Sequence, residues 1–154
     1  MEATAYDERL GVPLRWWVQG TMLVAALWLA LVVALPGPAA WVCSGIALAL
    51  LAALLLSYGG ARVSVADGWF RAGRARIEGV HLGRVSALDP EETRRVAGPE
   101  ADARAYLLLR PYLKRAVRVE IADPDDPAPY WLVSSRRPEE LARAVQALSD
   151  SSAV

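Results

Sequence analysis

Cysteine and histidine are nearly missing from this chain, which carries only Cys43 and His81. An intrachain disulfide and a cysteine-built zinc site are therefore excluded. The only Cys/His nucleophile pair on offer is Cys43 with His81. Charge is missing in a different way. No Asp, Glu, Lys or Arg occurs in the 46 residues from Trp16 to Ala61. The chain as a whole has 17 basic and 17 acidic residues, so its net charge says nothing about partners. The balance hides a partition: Glu2, Asp7, Glu8, Arg9 and Arg15 precede the uncharged block, and every other charge follows it.

That block is too long for one membrane span and suits two. About 20 helical residues cross an apolar bilayer core of about 30 Å. One interruption occurs, Pro36-Gly37-Pro38, where two rings that fix φ and remove an amide donor stop a helix. The spacing predicts spans over about 17–35 and 39–58. Trp16, Trp17, Trp41 and Tyr58 fall near the predicted ends, where amphipathic rings favour the headgroup zone. A cleaved signal peptide fits poorly, because the leading segment is acidic and a second apolar run follows at once. A buried soluble hairpin would need more covering mass than 154 residues supply.

Basic residues flank both ends of the block, Arg9 and Arg15 before it and Arg62, Arg71, Arg74 and Arg76 after it. Positive flanks stay on the cytoplasmic side, so the expectation is a multi-pass membrane protein with both termini cytoplasmic. Small residues recur at intervals of four, Ala26, Ala30 and Ala34 on the first span and Gly45, Ala49 and Ala53 on the second. Such rows let helix backbones approach closely and are candidates for the packing seam; alanine-rich composition also produces them by chance.

Beyond Tyr58-Gly59-Gly60 the texture is that of short strands and turns. Arg62-Val63-Ser64-Val65 alternates, Asp67-Gly68 signals a tight turn before Trp69-Phe70-Arg71, and Arg74 to Ile77 alternates again. Val85 to Leu88 and Tyr106 to Leu109 read as further strands. Asp89-Pro90-Glu91-Glu92 opens a helical turn, with Asp89 as its cap. Val117, Val119 and Ile121 face one way and Arg118 and Glu120 the other, and Tyr130 to Val133 returns as the partner strand. This hairpin is expected to have one buried and one wet face. Pro138 starts a last helix, with Leu141, Ala144, Val145 and Leu148 forming one apolar stripe.

The expected organisation is a cytoplasmic segment over residues 1–15, a transmembrane hairpin over 16–61, an α+β domain over 62–150 and a tail over 151–154. The fold class is an α+β membrane protein, with an antiparallel sheet or partly closed barrel capped by the C-terminal helix.

Several short strands followed by one amphipathic helix resemble a pleckstrin-homology-like (PH-like) module. The stretches YDERLGVPLRWWV, the two spans, and ETRRVAGPEADARAYLLLRPYLKRAVRVEIADPDDPAPYWLVSSRRPEELA are similar to an uncharacterised actinobacterial two-span membrane-protein family, domain of unknown function 3093, a resemblance that implies a place in the bacterial inner membrane. The resemblance implies no activity and supplies no functional residues.

Candidate chemistry is sparse. Asp123, Asp125 and Asp126 are dense in carboxylate, but prolines interrupt them and no EF-hand loop is present. Asp89, Glu91 and Glu92 suit helix-start electrostatics better than acid–base work. Gly68, Gly73, Gly79 and Gly83 are spaced as turns, not as a phosphate loop. No catalytic residue, cofactor, metal or small-molecule substrate is expected, and no nucleic-acid motif is present. The basic groups are the remaining signal. Arg110, Tyr112, Lys114, Arg115, Arg136 and Arg137 are candidate contacts for anionic headgroups or a partner protein; an ordinary charged surface is the alternative. The expectation is a non-catalytic, membrane-anchored interaction module that meets membrane lipids, another membrane protein or itself. The rival is an accessory subunit of a membrane transporter or membrane enzyme.

Overall fold

The computed structural model describes residues 5–153 and divides into two compact units. Gly11–Gly60 form one; residues 5–10 join residues 61–153 to form the other.

The first unit is a pair of helices, α1 (Leu14–Ala34) and α2 (Ala39–Gly59), each of 21 residues. Both are long and apolar enough to cross a membrane, with mean hydropathies of 1.9 and 2.4. Gly37, at φ 70°, makes the break between the flanking prolines, a backbone region that favours glycine. The seam within the hairpin is not the predicted one. Ala26, Ala30, Ala34, Gly45, Ala49 and Ala53 are all exposed, so those rows do not form the contact between the two helices. The contact lies on another face. Gly20 leaves room for the Leu51 side chain, which a Cβ at position 20 would meet at 2.8 Å, and the Trp28 and Trp41 rings pack with centroids 5.1 Å apart. The large Trp and Leu side chains set the rotation of the pair, and the alanine rows face outward.

In the other unit, strand β1 (Tyr6–Arg9) opens a four-stranded antiparallel sheet with β2 (Arg62–Ala66), β3 (Trp69–Ala72) and β4 (Ala75–Glu78), in that order. The β2–β3 turn has Asp67 at φ 54° and Gly68 at φ 80°, the paired positive angles of a type I′ hairpin. β1 lay unread in the sequence within the leading segment. A second sheet orders β5 (Leu82–Leu88), β7 (Ala116–Ile121), β8 (Tyr130–Ser134) and β6 (Tyr106–Leu108). It is mixed rather than antiparallel throughout, because β6 pairs parallel with β8.

The inner faces of the two sheets meet in one core. Tyr6, Val63, Val65 and Phe70 come from the first sheet, and Val117, Val119, Trp131 and Val133 from the second. Leu141 and Val145 of α4 (Pro138–Ser152) close it. Trp131 anchors the centre, its ring 5.8 Å from Phe70 and 5.1 Å from Tyr106. Behind the second sheet lies α3 (Pro90–Ala97), started by a full capping box between Asp89 and Glu92. Val96 of that helix packs with Leu88, Ala116, Tyr130 and Leu132. The expected wet face of the β7–β8 hairpin is therefore partly covered, and β8 is buried along its whole length.

Candidate functional site

β1 and β2 form the two arms of a β-hairpin whose turn is replaced by the helical pair. Their register runs from Tyr6 opposite Val65 to Arg9 opposite Arg62. One step further, the Leu10 amide donates to the Ala61 carbonyl at 2.9 Å. The chain thus leaves this unit at Leu10 and re-enters it at Ala61 through neighbouring, hydrogen-bonded residues.

β1 alternates inward Tyr6, Glu8 and Leu10 with outward Asp7 and Arg9. Glu8 is an unusual inward residue, 6% exposed. A buried carboxylate is costly unless hydrogen-bonded, and here it is well served. The Tyr6 and Ser135 hydroxyls each donate to its Oε2 at 2.6 Å, and the Arg136 amide donates to its Oε1 at 2.9 Å. The Arg136 guanidinium approaches the same oxygen at 4.0 Å. Burial, followed by the hydrogen bond to Glu8, pushes the Tyr6 phenol up to about 12. On the outward side the Arg62 guanidinium forks onto Asp7, with Nε 2.7 Å from Oδ1, and this bond lowers the Asp7 pKa.

The six basic and tyrosyl candidates fall on two segments that the fold brings together. The Arg110 amide donates to Ser134 Oγ at 3.0 Å, and the Ser135 amide to the Arg115 carbonyl at 3.2 Å. Both segments then attach to β1 or its end. Tyr112 donates its hydroxyl to the Leu10 carbonyl at 2.6 Å, and Arg136 donates from Nη1 to the Arg9 carbonyl at 3.0 Å. The Arg137 guanidinium lies 5.2 Å from the Tyr6 ring centre and bonds Glu140 at 3.0 Å. Arg115 pairs with Glu139. Lys114 is exposed. Several of the cations are thus tied to carboxylates or carbonyls and hold β1 in place.

Sequence reasoning missed Tyr6, Glu8 and Ser135. The available signal was the alternation of Tyr6-Asp7-Glu8-Arg9-Leu10 just before the apolar block. A glutamate at the inward position masked it.

The acidic turn behaves as a turn: Asp123 accepts the Asp125 amide at 3.0 Å and Asp126 the Ala128 amide at 2.8 Å. No group of three or more metal-ligating side chains occurs among the described residues.

A family model described as "Protein of unknown function (DUF3093)" matches residues 5–145. The chain belongs to this family. The matched region runs from the residue before β1 to Val145, the last core residue of α4, and takes in both apolar helices and every residue of the Glu8 network. No curated protein and no solved structure gave a match.

Proposed function

We propose that this protein is a non-catalytic interaction module anchored in the bacterial inner membrane. Its α1–α2 hairpin spans the bilayer, and both termini lie in the cytoplasm. Two four-stranded sheets closed by a C-terminal helix support a PH-like reading of the soluble unit. Restricting such a unit to the membrane plane raises the effective concentration of a weak binding surface toward membrane partners.

The observation that carries this reading is the adjacency of Leu10 and Ala61. Two strands can pair across an inserted hairpin only if both ends of that hairpin return to the same side. An even number of spans meets this requirement, and the basic residues Arg9, Arg15 and Arg62 at the two ends favour the cytoplasmic side. Exposed side chains such as Val33 (90%) and Leu23 (73%) on α1 call for an apolar surrounding. Arg9 lies opposite Arg62, and Arg136 bonds the Arg9 carbonyl; an anionic leaflet attracts such cations by about 1 kcal/mol each when they lie near its surface.

The test is a pair of reporter fusions, one at each end of the chain, combined with cross-linking from Lys114. This exposed residue is the chain's only lysine. Cytoplasmic reporter activity at both ends, with a membrane protein, a lipid or a second copy captured from Lys114, is the expected result. An external reporter at either end overturns the reading.

A second reading, an accessory subunit of a membrane transporter or membrane enzyme, draws on one observation within the hairpin. The buried Trp28 Nε1 and Ser44 Oγ have no hydrogen-bond partner among the described residues. Both residues line a cleft of about 400 Å³ between α1 and α2. A partner helix offering an acceptor oxygen there would satisfy both. Stoichiometric retention of a membrane partner by a Lys114→Ser, Arg136→Ser variant, with loss on Trp28→Leu, favours this second reading.

A further inference from the structure

The outward face of the first sheet carries arginines where sheet energetics would not place them. Register sets Asp7, Ser64, Arg71 and Arg76 side by side across β1 to β4, with Arg9 opposite Arg62 on the same face. Like charges directly opposite one another on neighbouring strands are destabilising. Here that arrangement occurs twice, as Arg71 opposite Arg76 and Arg9 opposite Arg62. Charged edges deter strand-to-strand aggregation and explain an arginine on β4 or β1. Arg62 and Arg71 sit on the interior strands, where that reason does not apply.

The acids nearby do not neutralise the face. Asp7 is engaged by Arg62, which it orients through the paired bonds described above. Glu78 pairs across to Trp69 rather than to an arginine. Arg71 and Arg76 have no carboxylate within 4.0 Å among the described residues, and the Arg76 guanidinium rests 5.3 Å from the Trp69 ring centre. Asp7, Arg62, Ser64, Arg71 and Gly73 line a polar groove of about 320 Å³. Guanidinium forks match the oxygens of a phosphate, and a hydroxyl adds a neutral donor beside them.

We propose that this groove is a site for a phosphate group carried by a small polar headgroup or metabolite, gripped by Arg71, with Ser64 as hydroxyl donor, Arg62 as a fixed wall and Arg76 adding positive charge from the neighbouring strand. A phosphomonoester supplies the charge that the opposed arginines lack. The site is separate from the Arg110–Arg115 and Arg136–Arg137 segments and does not depend on membrane insertion: a lipid headgroup and a soluble phosphomonoester offer the same chemistry.

The experiment uses the full chain in a neutral, mild detergent. One arm titrates glycerol phosphate by calorimetry. The other adds phosphatidic acid, with phosphatidylcholine as control, and reads the melting temperature. Wild-type protein is expected to bind in at least one arm. Arg71→Glu, which places an acid opposite Arg76, is expected to weaken binding at least tenfold while holding or raising the melting temperature of the ligand-free protein. Arg95→Ser, an exposed position on α3, is expected to leave this binding within twofold. Response in the first arm identifies a soluble ligand class, and response to phosphatidic acid alone a lipid headgroup. Absence of binding in both arms, or equal binding by wild type and Arg71→Glu, overturns the site. Because reporter topology and Lys114 cross-linking read a different property, either proposal can fail without the other.

Discussion

Glu8 accepts the Ser135 hydroxyl at 2.6 Å across 127 residues of chain, joining the strand before the apolar helices to the segment that leads into the last helix. The same carboxylate also receives Tyr6 and the Arg136 amide. Replacing Glu8 by Ala leaves these donors in a buried site without their acceptor. Unsatisfied buried groups cost about 1–3 kcal/mol, so Glu8→Ala is expected to lower unfolding stability by about 3 kcal/mol. Glu8→Gln, which keeps one acceptor oxygen, is expected to lose less. Urea unfolding followed by tryptophan fluorescence checks the ranking, and equal stability of both variants with wild type would refute it.

The same pocket makes Tyr6 a late-titrating phenol. Its neutral form is favoured in the folded protein, where its pKa is about 12, against 10.0 ordinarily. The stabilisation held by the neutral phenol is complete below pH 10 and lost as pH rises through about 12. Near-ultraviolet titration should show a phenol step near pH 12, and Tyr6→Phe should remove that step and flatten the alkaline loss of stability.

Because β1 belongs to the first sheet, a fragment beginning at Arg62 lacks an edge strand, Tyr6, Glu8 and Leu10. It is expected to be poorly folded, with weak dispersion in amide nuclear magnetic resonance spectra. Joining Leu10 to Ala61 through Asn-Gly, in place of residues 11–60, should restore a type I′ hairpin and yield a folded, water-soluble protein. Equivalent spectra for the two polypeptides would show that β1 is dispensable.

Gly79 marks the closest approach of the turn after β4 to α4. A Cβ there would lie 2.9 Å from Leu148 Cγ and 3.0 Å from the Leu148 carbonyl, and nearer still to Ser152 Oγ. The serine side chain can rotate away; the helix backbone cannot. Gly79→Ala is expected to cost about 1–3 kcal/mol, in the range of overpacked cores. Ser152→Ala alone should be nearly neutral, and thermal melts compare the two.

Much of this architecture was readable from local patterns. Asp67-Gly68 announced its turn, Asp89-Pro90 its capped helix, and Val117-Val119 its inward face, because each of these signals acts over a few residues. What escaped depends on distant partners. β1 is only four residues long and turns a glutamate inward, which reads as loop until Ser135 and Arg136 are placed beside it. The parallel pairing of β6 with β8 and the cover that α3 gives β8 are likewise set by topology. The alanine rows illustrate the opposite error. Their spacing was real, but Trp28, Trp41 and Leu51 determine which faces of the helices meet. Of Arg110, Tyr112, Lys114, Arg115, Arg136 and Arg137, the fold ties Tyr112, Arg136 and Arg137 to β1 or the residue after it, a use that only long-range pairing reveals.

The separation of β1 from its partner strand also affects the timing of assembly. Asp7 and Arg62 are 55 positions apart, and a ribosome adds about 5–20 residues per second. The first strand therefore waits roughly 3–10 s for its neighbour to be synthesised, with Tyr6 and Leu10 uncovered meanwhile. The sheet can close only after the whole apolar insert has been made, so maturation of the two-sheet unit depends on prior synthesis of the helices that lie between β1 and β2 in the chain.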